Sequence, residues 1–254
     1  MVNRGVFVAS SELPVDAKKP LEGKIALVTG ASRGIGFAIA RTLGRLGAKI
    51  GICARDPKKL EAAAATLKKD GIEVLAAVAD VTNAKDIASF VAKTEQALGP
   101  VEILVNNAGI GYFGPAHEAD EKNWDSVLDT NLKSVFLLSK AVAPGMIARQ
   151  SGHIINISSL AGKNAFKNGG IYCASKWGLM GLTECMAEDL RDYGIRVSAI
   201  CPGSVATEFG SPASKKDPGK MLQPDDIAHA VEMLVTQAPQ SFISEVLIRP
   251  TRKP

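Results

Sequence analysis

The chain has 254 residues, of which 46% are hydrophobic and 22% charged, a composition typical of one globular domain rather than a disordered or fibrous protein. Thirty lysines and arginines against 26 acidic residues leave a net charge of +4, too small for the concentrated positive surface of nucleic-acid-binding proteins. No apolar run approaches the roughly 20 residues that span a bilayer, and no secretory signal is recognisable. We therefore expect a cytoplasmic protein with neither a membrane nor a nucleic-acid partner.

Short apolar runs alternate with segments of helical period from residue 24 onward, which predicts βα units around one parallel sheet. The predicted strands cover residues 24–29, 49–54, 73–79, 103–106, 153–158, 196–201 and 245–248. The predicted helices cover residues 36–46, 57–70, 84–98, 121–150, 172–193 and 224–236. Since no linker separates two halves, we predict a single α/β domain over residues 21–254, with a seven-stranded parallel sheet and helices on both faces.

Two segments lie outside this alternation. Residues 1–20 carry two prolines and a Ser-Ser pair and are interpreted as an N-terminal arm. Residues 208–223 form the longest late loop and end just before a predicted helix, which makes them a candidate lid over a site. The four cysteines form no CxxC pair and the three histidines form no cluster with them, so we expect neither a metal site nor a disulfide.

A glycine-rich turn joins the first predicted strand to the first predicted helix. Its glycines permit a tight turn, a close approach of the backbone to a ligand and close packing of helix on strand. This context predicts that backbone N–H groups bind the pyrophosphate of a dinucleotide, with a tight turn that binds nothing as the alternative. The predicted cofactor contacts in this turn are Gly30, Ser32, Arg33, Gly34, Ile35 and Gly36.

The end of the second predicted strand bears on the choice between NADP and NAD. NAD-selective folds of this type place an acidic residue there to bind the adenosine ribose, but this chain has Ala54. Arg55 and Arg33 offer guanidinium groups suited to a 2′-phosphate. Asp56 is the alternative ribose ligand, although its position before Pro57 also suits a helix N-cap. We expect NADP(H) to be preferred over NAD(H).

A candidate catalytic set of three residues, Ser159, Tyr172 and Lys176, lies at and beyond the end of the fifth predicted strand. Tyr172 and Lys176 are four residues apart at the start of a predicted helix and therefore share one face. A nearby ammonium lowers the pKa of a phenol and lets it exchange protons near neutral pH. Ser159 ends the strand, at the edge where ligands bind in open α/β sheets. The alternative for Tyr172 and Lys176 is an exposed helix face, and the alternative for Ser159 is a turn residue without a catalytic role.

These residues together resemble the short-chain dehydrogenase/reductase family over about residue 21 to the C-terminus. The motifs that carry the resemblance are Thr29-Gly30-x3-Gly34-x-Gly36, Asn106-Asn107-Ala108-Gly109, Asn131, Ser159, Tyr172-x3-Lys176 and Pro202-Gly203. The resemblance implies a Rossmann fold and an NAD(P)-dependent oxidoreductase that reduces a carbonyl group to a secondary alcohol.

The resemblance also implies a role for each catalytic residue. Tyr172 is the general acid, Lys176 lowers the pKa of Tyr172 and binds the nicotinamide ribose, and Ser159 orients the substrate carbonyl. Asn131 holds a water that links Lys176 to solvent, although asparagine in a helical segment would by itself favour a solvent-facing position.

Further cofactor contacts are implied by the same resemblance. Asp80 resembles the residue that bonds the adenine, with capping of the following helix as its alternative. Thr207 would contact the carboxamide. The other implied contacts are Val81, Asn107, Ala108, Gly109, Pro202, Gly203 and Val205.

The substrate is constrained least. Similar motif sets occur in 3-oxoacyl-[acyl-carrier-protein] reductases, and Arg149, Lys163 and Lys167 are candidates to meet an acidic carrier. The sequence of residues 244–251 lacks the Val-Asp-Gly-Gly of typical acyl-carrier reductases, so a reductase of free ketones, sugars or hydroxy acids is the alternative. A non-catalytic cofactor-sensing protein is disfavoured, because such proteins tend to lose the tyrosine or the lysine.

The predicted helix over residues 172–193 carries an apolar stripe that is either core or an inter-subunit seam. The stripe consists of Leu179, Leu182, Met186 and Leu190. Because members of the family commonly pair such helices, the resemblance implies a homotetramer.

Overall fold

The computed structural model describes residues 19–209 and 217–254. The strands are β1 (Ile25–Thr29), β2 (Lys49–Ala54), β3 (Val74–Val78), β4 (Ile103–Asn106), β5 (Gly152–Ile157), β6 (Ile195–Pro202) and β7 (Glu245–Ile248). The helices are α1 (Gly34–Arg45), α2 (Pro57–Lys69), α3 (Ala84–Leu98), α4 (Glu121–Leu128), α5 (Ser134–Arg149), α6 (Gly170–Arg191) and α7 (Pro224–Thr236). Each predicted strand is present within two residues of its predicted limits.

The seven strands form one parallel sheet in the order β3-β2-β1-β4-β5-β6-β7. The chain runs outward from β1 to β3, returns to β4 on the other side of β1, and continues outward to β7. The order of the strands therefore reverses between β1 and β4. In sheets of this kind a ligand binds in the crevice beyond the carboxyl ends of the strands at that point.

Apolar side chains from both faces of the sheet form two cores. Val28 and Val105 belong to a core that includes residues of α1, α2 and α7. Leu27 and Leu104, their neighbours along the strands, belong to a core that includes residues of α3, α5 and α6. Successive strand residues point to opposite faces, so a continuous apolar run buries both. The predicted single-domain Rossmann fold with helices on both faces is confirmed.

One predicted helix differs in detail. The segment predicted as a single helix over residues 121–150 consists of α4, a π-helical turn at Asp129–Lys133, and α5. A π-turn adds one residue to the helical ring, so it changes which side chains face the neighbouring helix. Both flanking segments are helical, and the turn interrupts them for only five residues, so the sequence pattern does not reveal it.

Parts of two predictions lie outside the described residues, namely residues 1–18 of the proposed arm and residues 210–216 of the candidate lid. The described end of the lid segment contains a 3₁₀ turn at Pro218–Lys220. Across the two described ranges, none of the helices is long and apolar enough to cross a membrane.

Candidate active site

The glycine-rich turn packs directly on the loop after β4. A Cβ on Gly30 would lie 2.9 Å from Cα of Ala108, and a Cβ on Gly36 would lie 2.4 Å from Nδ2 of Asn107 and 2.5 Å from the Gly30 carbonyl oxygen. These distances are too short for any side chain. The turn therefore requires glycine at both positions to lie this close to β4.

Asn107 holds the turn in place. Its Nδ2 donates to the carbonyl oxygens of Thr29 and Gly30 at 2.9 and 3.2 Å. The backbone N–H groups of Asn107 and Ala108 donate to Oγ1 of Thr29 at 3.1 and 3.0 Å. The ends of β1 and β4, which flank the reversal of strand order, are thus tied together, and the Asn107 amide positions the turn.

The amino end of α1 is suited to an anion. Its N-cap residue, Arg33, makes no side-chain capping bond, and the first turn has no acidic residue. Gly34 has a φ of +57°, which directs the backbone into a conformation that favours glycine. The N–H groups of a first helical turn that lack capping bind phosphate well. The backbone donors and nearby arginines therefore fit the phosphates of a dinucleotide.

The exposed cations near this turn differ in their contacts. The Arg33 guanidinium forms an ion pair with Glu208, whose carboxylate also lies 4.0 Å from Nζ of Lys59. Arg55 follows the end of β2 and is exposed. Asp56 is the N-cap of α2, since its Oδ1 accepts from the N–H groups of Lys58 and Lys59 at 3.0 and 3.1 Å. Capping engages this carboxylate, which favours the N-cap interpretation over the ribose ligand.

Asp80 lies just beyond β3 and does not cap the following helix. Its Oδ1 accepts from the backbone N–H and the hydroxyl of Thr82 at 2.9 and 2.8 Å. The N-cap of α3 is Asn83, so the capping alternative for Asp80 is wrong. Val81 is 7% exposed and packs in the core on the α3 side of the sheet.

The remaining predicted cofactor contacts lie at the carboxyl edge of the sheet. Pro202 ends β6, and the N–H of Gly203 donates to the Ile248 carbonyl oxygen at 2.8 Å. Val205 forms an isolated bridge with Leu222. Thr207 lies beside the glycine-rich turn, because a Cβ on Gly34 would be 3.4 Å from its Cγ2.

The structure brings the three candidate catalytic residues together. Tyr172 and Lys176 lie in the first two turns of α6 and are 8% and 5% exposed, so the exposed-face alternative is wrong. Nζ of Lys176 lies 5.9 Å from the centroid of the Tyr172 ring and donates to the Ile157 carbonyl oxygen at 2.9 Å. Ser159 follows β5, and its Oγ accepts from the N–H of Ala161 at 3.1 Å.

Burial dominates the electrostatics of this group. It raises the pKa of Tyr172 above its ordinary value, while a hydrogen bond from Ser159 acts in the opposite direction. Burial also lowers the pKa of Lys176 to about 8. Burial is the largest cause of both shifts, so the expectation that the ammonium lowers the pKa of Tyr172 is not met here.

Asn131 lies in the π-helical turn and is 1% exposed, so the solvent-facing alternative is wrong. Its Oδ1 accepts from the N–H of Ile110 at 2.8 Å, and its Nδ2 donates to the Ile110 carbonyl oxygen at 2.8 Å and to Oγ of Ser175 at 3.0 Å. A Cβ on Gly109 would be 3.3 Å from Oδ1 of Asn131 and 3.9 Å from Nζ of Lys176. The asparagine therefore joins the loop after β4 to α6 beside the lysine.

Sequence reasoning missed four residues here. Ser175 links Asn131 to the Tyr172 carbonyl oxygen, to which it donates at 2.8 Å. Two phenylalanines pack on the Tyr172 ring and a third packs on one of them; the three follow β4, β5 and β6, respectively. They are Phe113, Phe166 and Phe209. The available signal was one phenylalanine in the loop after each of three strands.

The three basic residues proposed to meet a carrier differ in position and contacts. Arg149 is the last residue of α5, at the amino edge of the sheet, and donates to the Val101 carbonyl oxygen. That contact places it at the opposite edge from Tyr172, so its predicted position near the mouth is wrong. Lys163 pairs with Glu245 at 2.7 Å and lies 3.9 Å from Glu184. Lys167 is exposed beside Phe166.

Comparison with known proteins gives consistent results. Residues 24–218 match the family model described as short chain dehydrogenase. A putative ketoacyl reductase of granaticin polyketide synthase from Streptomyces violaceoruber is 45% identical over 196 residues, which are 76% of this chain and 71% of that protein. The glycine betaine reductase ATRR of Emericella nidulans is 35% identical over 250 residues, 93% of this chain, but this chain spans only 19% of its length.

A solved structure has the same architecture. It is a metagenomic short-chain oxidoreductase in complex with NADP, 49% identical, with a TM-score of 0.81 over 92% of this chain and 100% of that one. The matched family model covers the glycine-rich turn, Asn131, Ser159, Tyr172 and Lys176. The chain belongs to the short-chain dehydrogenase/reductase family of oxidoreductases, which act between CH–OH and C=O groups with nicotinamide cofactors.

Proposed function

We propose that this protein is an NADP(H)-dependent reductase that converts a carbonyl group to a secondary alcohol, with Tyr172 as the proton donor. The observation that carries the proposal is the convergence of Ser159, Tyr172 and Lys176 beyond the carboxyl end of β5. In open α/β sheets this edge is where ligands bind, and the glycine-rich turn lies two strands away along it.

The chain contributes binding and proton transfer. Gly30, Gly34 and the first-turn N–H groups of α1 would hold the phosphates of the dinucleotide. The bound cofactor would supply hydride from its dihydronicotinamide ring. Tyr172 donates its proton to the substrate oxygen, so that negative charge does not accumulate there. The raised pKa of Tyr172 keeps the phenol in the protonated form that this step consumes. Ser159 donates a hydrogen bond to the same oxygen and fixes the carbonyl.

Lys176 and Asn131 support the proton donor. With a pKa of about 8, the Lys176 ammonium exchanges its proton near neutral pH and can restore the proton of the phenol. Asn131 is a positioning residue, because its amide fixes the backbone of Ile110 and the Ser175 hydroxyl. We also propose that Asn131 holds a water that links Lys176 to solvent.

A preference for NADP(H) is supported by two arginines. Arg33 is the N-cap of α1 and Arg55 follows β2, and both are exposed. Guanidinium groups bind phosphate in a bidentate manner, which favours a cofactor that carries a 2′-phosphate. A relative solved in complex with NADP supports the same preference.

Two substrate classes have support. The relative named a putative ketoacyl reductase supports a 3-oxoacyl thioester, carried by acyl-carrier protein or free. The engagement of Lys163 by Glu245 and the distance of Arg149 from Tyr172 weaken the case for an acidic carrier and favour free ketones.

The homotetramer also stays a proposal. Leu179 and Leu190 of the α6 stripe are buried in the described chain, at 1% and 8% exposure. In contrast, Trp177 of α6 and Phe136 of α5 are 53% and 47% exposed. A second subunit would cover such apolar surface, and light scattering coupled to size exclusion tests this.

The test of the proposed function is the variant Tyr172→Phe. We expect NADPH-dependent reduction of an acetoacetyl thioester or a simple ketone to fall by at least about 100-fold, the usual contribution of a positioned acid. NADPH binding, measured by fluorescence titration, stays unchanged, because the phenylalanine ring fills the same space. Retention of full activity in the variant would refute Tyr172 as the proton donor.

A further inference from the structure

Two half-exposed phenyl rings pack on the nearly buried Tyr172, and a third packs on one of these two. The ring centroids of Phe113 and Phe209 are 5.5 and 5.9 Å from that of Tyr172, and the Phe166 ring is 6.2 Å from that of Phe113. Phe113, Phe166 and Phe209 are 42%, 48% and 45% exposed. We call these three phenylalanines the aromatic rim.

The aromatic rim is held in position by the main chain. The N–H of Gly114 donates to the Asn168 carbonyl oxygen at 2.9 Å, which joins the loop that carries Phe113 to the loop that carries Phe166. A Cβ on Gly111 would lie 2.7 Å from the Phe113 ring and 3.3 Å from Cζ of Phe209. Glycine at this position lets two rings pack against the same stretch of backbone. The two loops are therefore joined by their backbones, and Gly111 leaves room for both rings.

The chemistry of the rim selects among carbonyl compounds. Phenyl rings offer no hydrogen-bond partner, so burying the hydroxyl groups of a sugar against them is unfavourable. Two of the lysines adjoining this region have other contacts, since Lys176 donates to the Ile157 carbonyl oxygen and Lys163 pairs with Glu245, while Lys167 is exposed. An apolar ring, in contrast, gains from both burial and ring–ring contact.

We infer that the substrate is a ketone that carries an apolar ring-bearing substituent, which packs against Phe113, Phe166 and Phe209 while its carbonyl oxygen meets Tyr172. This inference rests on the proposed reduction by Tyr172 and names its substrate class. The half-exposed rings are continuous with the candidate proton donor, so a substituent attached to the carbonyl carbon reaches the rim directly.

The experiment compares 4-phenylbutan-2-one with butan-2-one, which share the reacting carbonyl and differ by one phenyl ring. With NADPH as the reductant, we expect kcat/KM to be at least about tenfold higher for the phenyl compound. Acetoacetate and 4-hydroxybutan-2-one serve as charged and hydroxylated counterparts and should be reduced no better than butan-2-one. The acetoacetate arm also tests whether exposed Lys167 attracts carboxylates.

The variant Phe113→Ala should lower the ratio of the two kcat/KM values about three- to tenfold, mostly through KM for the phenyl compound. The control is Phe242→Ala, which removes a ring that is 38% exposed and lies before β7, at the amino edge of the sheet. Phe242→Ala should leave the ratio unchanged. NADPH binding and the melting temperature of both variants report folding, and Phe113→Leu should keep an intermediate ratio.

The outcomes separate the two proposals. If reduction requires Tyr172 but the wild-type ratio is near one, or if Phe113→Ala leaves it unchanged, the substrate inference is overturned and the proposed reduction stands. If Tyr172→Phe reduces these ketones as fast as the wild type, the proposed function itself is overturned.

Discussion

The ion pair between Arg33 and Glu208 leads to a prediction about cofactor affinity. The Glu208 carboxylate pairs with Arg33 and lies 4.0 Å from Nζ of Lys59, two of the cations next to the amino end of α1. If Arg33 binds the 2′-phosphate of NADPH, the carboxylate competes for the same guanidinium and also repels the phosphate. The variant Glu208→Gln should therefore bind NADPH more tightly.

The size of the effect follows from exposure. The side chains of Arg33 and Glu208 are 52% and 69% exposed, and an exposed ion pair contributes about 0.2–1 kcal/mol. Because 1.4 kcal/mol corresponds to a factor of about ten, the Kd for NADPH should fall roughly 1.4- to fivefold. NADH lacks the phosphate, so its Kd should change much less. Salt at roughly 0.5 M should reduce the difference, since it screens exposed charges.

Fluorescence titration of both nucleotides at low and high salt measures these constants. Glu61→Gln, which neutralises an exposed carboxylate on α2, is the matched control for net charge and should leave the NADPH-to-NADH ratio of Kd values unchanged. Equal tightening of NADPH and NADH by Glu208→Gln, or no change for either, would refute the competition between Glu208 and the phosphate.

Three further predictions concern packing, pH and selectivity. Gly36→Ala should lower the free energy of unfolding in urea by about 1–3 kcal/mol, because the added Cβ would meet Asn107 and a backbone oxygen within 2.5 Å. The control is Gly181→Ala in α6, where nothing lies within 4 Å of the added Cβ. That variant should raise the free energy of unfolding by about 0.5–1 kcal/mol. The rate of reduction should decline as pH rises through about 8, where Lys176 loses its proton. Lys176→Met should abolish this inflection in the pH profile. An unshifted inflection in the variant would show that a different group titrates there. Arg55→Ala should raise the Kd for NADPH far more than that for NADH, and equal effects would remove its role in phosphate selectivity.

The sheet could be predicted from the sequence because its strands are buried between two layers of helices. Val28 and Leu27 enter opposite cores, so the whole strand reads as one apolar run. The glycine-rich turn was also predictable, since the close contacts of Gly30 and Gly36 exclude any other residue type. Local sequence and tertiary structure impose the same requirement at these positions.

The burial of Asn131 was not predictable from residue type. Its amide is satisfied by the backbone of Ile110 and by Ser175, partners that lie 21 and 44 residues away along the chain. The π-turn that contains it lies between two helical segments, α4 and α5. Only the family resemblance singled out this residue, because a distant partner leaves no periodic signal.

The electrostatics of Tyr172 show a similar limit. The spacing of Tyr172 and Lys176 predicted proximity correctly, and the 5.9 Å separation of Nζ from the ring centroid bears this out. The spacing carries no information on how deeply the two groups are buried, and burial decides the direction in which both pKa values move. Depth depends on residues from other elements, among them Ala161, Phe113 and Phe209 around Tyr172.

The parallel topology places the proposed phosphate contacts and the aromatic rim after different strands. The contacts proposed for the dinucleotide phosphates come from the loops after β1 and β2, while the aromatic rim comes from the loops after β4, β5 and β6. Tyr172 and Lys176 belong to α6, which follows β5 and so lies on the substrate side of the reversal in strand order. A change in the rim therefore alters which ketone meets the phenol without disturbing the turn that Asn107 holds. Phe113 follows β4 and Arg55 follows β2, on opposite sides of β1, so variants of these two residues should have additive effects on kcat/KM.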